Sequence, residues 1–136
     1  MNYNLKDNEA EDSFDMTPLF SDSKTTDFKR EATVHHSIQG RFAIRKGDWK
    51  FILHPGSVGW SSPRTQKELE NLPDYQLYNL KSDPGEKTNL YGKYPDIEIE
   101  LKQMLTAYIK NGRSTEGTLQ ENDPVESWPQ ISWMND

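Results

Sequence analysis

Three histidines are the residues of this chain best suited to proton transfer or metal binding. All three fall within ATVHHSIQGRFAIRKGDWKFILHPG, residues 32–56: His35, His36 and His54. His35 and His36 are adjacent, and neighbours on an extended strand point to opposite faces, so the pair cannot chelate a metal from within that strand. No HExxH or zinc-finger spacing occurs. The alternation puts His35 on the outward face and His36 with Val34 and Ile38; hydrogen bonding within a sheet accounts for such histidines more readily than a catalytic or substrate role. The same stretch carries Arg41, Arg45, Lys46 and Lys50. These can hold an anion or simply form a solvated strand face. Among the 4 tryptophans, Trp60 sits in the Gly/Ser loop GSVGWSS and is the one placed to stack on a sugar ring. Trp49 alternates with Phe51 and Leu53 as core, and Trp128 and Trp133 read as anchors of the tail.

Other chemistries are narrowed by composition. The sequence has no cysteine, which excludes disulfides, thiolate metal sites and cysteine nucleophiles. Serines are plentiful, but no GxSxG elbow is present. With 22 acidic residues, paired carboxylates can be drawn almost anywhere and point nowhere. The net charge of −6 argues against a general nucleic-acid binder or docking on an anionic membrane. No apolar run approaches the ~18 residues of a membrane helix. The opening MNYNLKDNEAEDS lacks the basic-then-apolar pattern of a secretory signal, and localisation is otherwise open.

The elements that must position these residues follow from periodicity. TVHHSI, RFAIR and WKFILH alternate as three strands, separated by QG and KGD, which suit tight turns. YQLYNL is a fourth strand candidate, and TQKELENL a single helical turn before it. The strands are expected near 33–38, 41–46, 48–54 and 75–80. PDIEIELKQMLTAYIKNG is the strong helix, expected near 96–111: Pro95 opens it, and Ile97, Leu101, Met104, Leu105 and Tyr108 share a face. Asn111-Gly112 stops it. In EDSFDMTPLF, a helical turn is expected, capped by Asp12 or Ser13 and limited by Pro18. The reading is α+β: a small four-stranded antiparallel sheet with one C-terminal helix packed on it and extended N- and C-terminal arms. The 136 residues suggest one domain, divided as an arm 1–30, a body 31–112 and a tail 113–136. At 32% hydrophobic residues and a mean hydropathy of −0.97, the core is modest, which favours completion against something else.

VHHSIQGRFAIRKGDWKFILHPGSVGW followed by LYNLKSDPGEKTNL resembles the C-terminal subdomain of arylsulfatase-type, formylglycine-dependent sulfatases. The likeness covers a meander of the form VHHS…G.FAIR.G.WK, a strand and turn of the form LY.L..DP.E..NL, and the helix that follows. It runs over about residues 5–133, with EDSFDMTPLF resembling the connector from the larger catalytic domain. The resemblance implies an accessory subdomain that closes one side of a substrate pocket, with His35, His36 and Ser37 as rim residues; Trp60 is added from its loop setting. It implies no catalytic and no metal-binding residue here. The family makes its nucleophile from Cys or Ser in a loop such as Cys-x-Pro-Ser-Arg. The nearest string, Ser61-Ser62-Pro63-Arg64-Thr65, has its arginine one place too early. The divalent cation, usually calcium, belongs to the catalytic domain. So does the family's usual setting, often periplasmic or secreted, belong to the full-length enzymes. Expected partners are a sulfatase catalytic domain or a second copy, and sulfated carbohydrate, with no nucleic acid or membrane. The alternative is a free-standing, non-catalytic module for sulfated or acidic glycans; a self-associating remnant without ligand is a third reading.

Overall fold

The computed structural model describes residues 4–20, 28–122 and 128–134. The polar stretch SDSKTTD, residues 21–27, lies outside the described residues. Four strands form one antiparallel sheet in chain order: β1 Thr33–His36, β2 Phe42–Lys46, β3 Trp49–Ile52 and β4 Gln76–Asn79. One row of partners crosses the sheet through Val34, Ile44, Phe51 and Leu77. The next row, on the opposite face, runs through His35, Ala43, Ile52 and Gln76. The period of two thus gives the sheet an apolar face and a mixed face.

Helix α2, Pro95–Asn111, covers the apolar face, against β2 and β3. Ile44, Phe51 and Leu77 are fully buried beneath it, as are Leu101 and Leu105. Ile97, Met104 and Tyr108 pack around this cluster, so the expected helical stripe is the contact stripe. The helix ends at Gly112 in the left-handed region, φ +64°. A Cβ there would stand 2.2 Å from the Gln120 carbonyl oxygen, so both conformation and space require glycine.

Strand β1 ends at His36, earlier than TVHHSI suggests. The Ser37 N–H donates to the Arg41 carbonyl and the Gly40 N–H to the Ser37 carbonyl, both at 2.9 Å, closing the hairpin there. Ile38 keeps the alternation in sequence but falls in the turn, where it is 72% exposed. Between β3 and β4 lies one short helix, α1, Gln66–Leu69. Its Glu68 carboxylate accepts from the Arg64 and Thr65 backbone N–H groups at 2.8 Å, and from the Ser62 and Thr65 hydroxyls. These donors, the Arg64 N–H foremost, pull the Glu68 carboxyl down to about 2.

The two arms are held to the body by specific bonds. In the first, a 3-10 helix spans Thr17–Phe20, and Asp15, not Asp12 or Ser13, caps it by accepting from the Thr17 N–H at 2.9 Å. Asp12 instead accepts from the Ser114 N–H at 2.8 Å. Arg113, buried, donates to the Asp7 carboxylate at 3.1 Å and to the Thr118 carbonyl at 3.0 Å. The Thr118 N–H in turn donates to Asp7 at 2.8 Å. The tail is not wholly extended: a 3-10 segment, Pro129–Met134, carries Gln130 onto the start of β2. The Gln130 amide accepts from the Phe42 N–H at 2.8 Å and donates to the Gly40 carbonyl at 2.9 Å. Trp128 stacks on Phe42 with centroids 5.1 Å apart, and the Trp133 indole N–H donates to Thr106 at 3.0 Å. The periodicity of an amphipathic element is absent here because side chains, not a repeating face, seat the tail.

Two outcomes follow. Phe51→Ala should lower unfolding free energy by about 3–5 kcal/mol, read from urea titrations, because the ring lies between sheet and helix with no room to collapse. Hydrogen bonds from Thr118, then Arg113, hold the Asp7 carboxyl below its ordinary 3.8. A depressed carboxyl stabilises the contact above its unfolded pKa and loses it as pH falls through the folded value. Hydrogen exchange at the Thr118 amide should therefore stay protected down to pH 3.8 and open below it, and open at all pH values in Asp7→Ala.

A candidate binding cleft on the open sheet face

The face of the sheet away from α2 carries His35, Ala43, Arg45, Lys50, Ile52, Gln76 and Tyr78, from all four strands. The loop after β3 and the turn after β4 rise on either side of it. Together they enclose a cleft of about 470 Å³. Ala43 and Ile52 form its floor, Val58 and Pro63 one wall, Gly85 and Glu86 the other. His35, His36, Ser37 and Arg41 line the end nearest the first hairpin.

The loop wall is tightly built. The Ser57 N–H donates to the Pro63 carbonyl at 2.9 Å, closing the loop on itself. A Cβ on Gly56 would stand 2.5 Å from the same carbonyl, so a side chain is excluded where the loop crosses. The Gln76 amide ties this wall to the sheet by donating to the His54 and Gly56 carbonyls at 2.7 and 2.9 Å. Val58 and Glu86, on opposite walls, have φ of +49° and +52°. Non-glycine residues hold this left-handed region at a cost of about 1–3 kcal/mol each.

The groups presented are neutral or cationic apart from the Glu86 carboxylate. Lys50 donates to Glu86 at 2.7 Å. The Tyr78 hydroxyl donates to the Gln76 side-chain oxygen at 2.5 Å. Burial, with Glu86 and Asp83 adding to it, pushes the Tyr78 phenol up, so it stays protonated. Burial within the cleft, and then the Lys50 charge, push the His35 imidazole down. His36 directs Nδ1 at the Ser37 carbonyl, 2.9 Å away, an acceptor that fixes the proton on that nitrogen. His54 is not in the lining; its Nδ1 accepts from the Gly56 N–H at 2.9 Å, and burial lowers its pKa. Such a set can grip hydroxyls and anions; the Ser62 hydroxyl of the lining donates to Glu68, whose carboxyl, pulled down to about 2, is too weak a base to make it a nucleophile. Among the described residues, no group of three or more His, Asp or Glu gathers to hold a metal ion.

The structure brings His35, His36 and Ser37 together at the cleft. Trp60 lies in the loop wall but points away from the lining and is 80% exposed. Lys46, grouped by sequence with the other cations, is on the helix side, paired with Glu31 at 3.1 Å and Glu100 at 2.8 Å. Gln76, Tyr78, Val58 and Glu86 were not singled out by sequence. The alternation in YQLYNL already places Gln76 and Tyr78 opposite Leu77, but nothing local says that two loops wall that face.

Since His35 and His54 both have folded pKa values below the ordinary 6.5, the unfolded chain binds more protons in that window. Stability should therefore fall as pH drops below about 6.5, and His35→Gln should remove part of the slope. Imidazole carbon-bound proton shifts and urea midpoints across that range read both effects.

No family model matches the chain. An N-acetylgalactosamine-6-O-sulfatase of Bacteroides thetaiotaomicron is 37% identical over 76 residues, 56% of this chain and 15% of that protein. An N-acetylglucosamine-6-O-sulfatase of the same organism is 26% identical over 118 residues, 79% of this chain and 17% of that protein. A solved structure described with the metabolism of multiple glycosaminoglycans by Bacteroides thetaiotaomicron is 36% identical, covers 57% of this chain and 16% of that one, and has a TM-score of 0.43. This chain thus spans about a sixth of the length of the curated relatives it matches. The chain is sulfatase-related, and the short shared span, with its four-stranded sheet and helix, fits a C-terminal sulfatase subdomain.

Proposed function

We propose that this chain serves a sulfuric ester hydrolase as its C-terminal subdomain. In this reading, the open sheet face forms one rim of the pocket for the sugar side of a 6-O-sulfated N-acetylhexosamine. The observation that carries the reading is the similarity to two 6-O-sulfatases that act on N-acetylated amino sugars by name. The cleft supports it: His35, His36 and Ser37 stand at one end, beside Tyr78 and Lys50, with donors and acceptors suited to sugar hydroxyls. Ile38 and Trp60, 72% and 80% exposed, add apolar surface in the segments that border the cleft, where a catalytic domain or a second copy would cover it.

Sulfate ester cleavage needs a strong nucleophile, a cation to draw charge from the sulfate, and acid–base groups at the ester oxygen, all converging on one point. The cation of the family, usually calcium, supplies that charge stabilisation when bound in the catalytic domain. The described residues do not fit it. Their carboxylates do not gather, and those best placed are engaged: Glu86 with Lys50, Asp7 with Arg113, Glu68 with the start of α1. The Ser61–Thr65 string lies beside that helix start, with the Ser62 hydroxyl donating to Glu68. This chain's part is to bind and orient the leaving sugar. A free-standing glycan-binding module is the second reading, favoured by the exposed Trp60 ring and the cations of the open face.

Sulfate release from 6-O-sulfated N-acetylgalactosamine separates these readings. The chain alone should give no turnover, and the chain joined to a matching catalytic domain should turn over. His35→Ala or His36→Ala in the joined protein should lower kcat/KM by about tenfold, the worth of one hydrogen bond to a substrate hydroxyl, without changing metal content. Metal-dependent turnover by the chain alone would overturn the accessory role. Unchanged kinetics in both variants would leave the histidines as parts of the sheet. Tight binding of the sulfated sugar by the chain alone would favour the second reading.

A further inference from the structure

We propose that Arg41 is the receptor for a second oxyanion on the glycan, a carboxylate or a sulfate other than the one at the 6-O position. This rests on the reading of the cleft as a sulfated-glycan site. Arg41 lies at the cleft end with Ser37, across the hairpin closure: its carbonyl accepts from the Ser37 N–H at 2.9 Å, and its own N–H donates to the Ser37 hydroxyl at 3.2 Å. Its backbone is therefore fixed. Its Nε is buried and has no acceptor.

The other cations of the sheet are engaged. Lys46 pairs with Glu31 and Glu100, Lys50 with Glu86, and Arg45 donates from Nε to the Gly47 carbonyl at 3.0 Å. Arg113 shares the buried, unpartnered Nε, but its two Nη atoms bond Asp7, Thr115 and Thr118. Among the described residues, Arg41 has no carboxylate within ion-pair distance and no side-chain hydrogen bond. A guanidinium N–H taken out of water without an acceptor is costly, and a planar fork with free donors matches the paired oxygens of carboxylate or sulfate. The sulfate to be cleaved would be held by the catalytic domain's own nucleophile and cation. An oxyanion at Arg41 is then a different substituent, carried by the same or a neighbouring sugar. The site would thus select an acidic oligosaccharide over an isolated monosulfated sugar.

Two measurements on the full chain test this. First, the Arg41 side-chain Nε–H resonance is followed during titration with sodium sulfate and, separately, sodium acetate. A saturable shift at Arg41, absent at Arg45, is expected with at least one of them, and which one tells sulfate from carboxylate preference. No saturable shift with either would overturn the proposal whatever the fate of the glycan reading. Second, binding is measured for 6-O-sulfated N-acetylgalactosamine linked to a uronic acid, to a second sulfated sugar, or to a neutral sugar. One acidic disaccharide should bind about ten- to hundredfold more tightly than the neutral one, as expected for a charge-assisted pair. Arg41→Gln should erase that preference, weakening the acidic disaccharide far more than the neutral one, and Arg41→Lys should keep part of it. Equal affinities, or an equal loss for all three ligands, would overturn the role of Arg41. Failure of all three to bind, with the Arg41 resonance still shifting in sulfate, would instead count against the glycan reading of the cleft. Melting curves of the variants with and without sulfate give a further check: sulfate should raise the Tm of the wild type and not of Arg41→Gln.

Discussion

Burial of a single face of a small sheet is the constraint from which the rest of the molecule follows. Ile44, Phe51 and Leu77 line up across β2, β3 and β4 and meet Leu101 and Leu105 of one helix. With so few apolar residues, the chain has enough to cover that face once and no more. The other face is left to mixed side chains. It is this asymmetry, one layer of helix rather than two, that leaves a surface free for a ligand.

The open face is shaped by loops rather than by regular structure. The loop from His54 to Pro63 is cross-braced by the Gln76 amide and the Ser57–Pro63 bond, and the turn at Glu86 is tied to the sheet through Lys50. Both walls hold a residue in the left-handed region, Val58 and Glu86. Such strain persists only where surrounding bonds over-determine it; beside Ala10 in the first arm, Val58 and Glu86 are the described non-glycine residues that hold it. The wall that carries Trp60 is thereby a fixed shelf rather than a loose flap. A rigid shelf over the apolar floor of Ala43 and Ile52, with polar groups at the cleft end, suits a ligand whose hydroxyls must be oriented.

The arms do a different job. Asp7, Arg113 and Thr118 lock the first arm against the stretch after α2, while Gln130 and Trp128 seat the tail on β2 and the first hairpin. Gln130 satisfies the Gly40 carbonyl and the Phe42 N–H, the backbone groups that flank Arg41. The tail thus helps to set the hairpin end of the cleft from behind. On the helix side, Lys102 stands over the rings of Tyr75 and Trp133 at 4.6 and 5.4 Å, a further contact between α2 and the tail.

The sequence by itself determined the parts that repeat. Alternation in TVHH, FAIRK, WKFI and QLYN set the strands and their buried faces, and the spacing of Leu101 and Leu105 set the helix face, because these patterns are local. The likeness to sulfatases was legible in the same stretches, and it made His35, His36 and Ser37 candidates. What only the tertiary structure decided depends on groups far apart in the chain. Asp15 rather than Asp12 caps its turn, because Asp12 is taken by Ser114, about a hundred residues on. The tail folds into a 3-10 segment because Gln130 finds backbone groups on β2, a partner no periodicity announces. Trp60 stands outside the cleft lining because the closure of its loop aims it there. Lys46 and Lys50 look alike in sequence, yet one pairs with the helix and the other enters the cleft, since they sit on opposite faces of their strands. The unpartnered Nε of Arg41 is likewise invisible in sequence: an arginine is short of acceptors only once every neighbour has been placed.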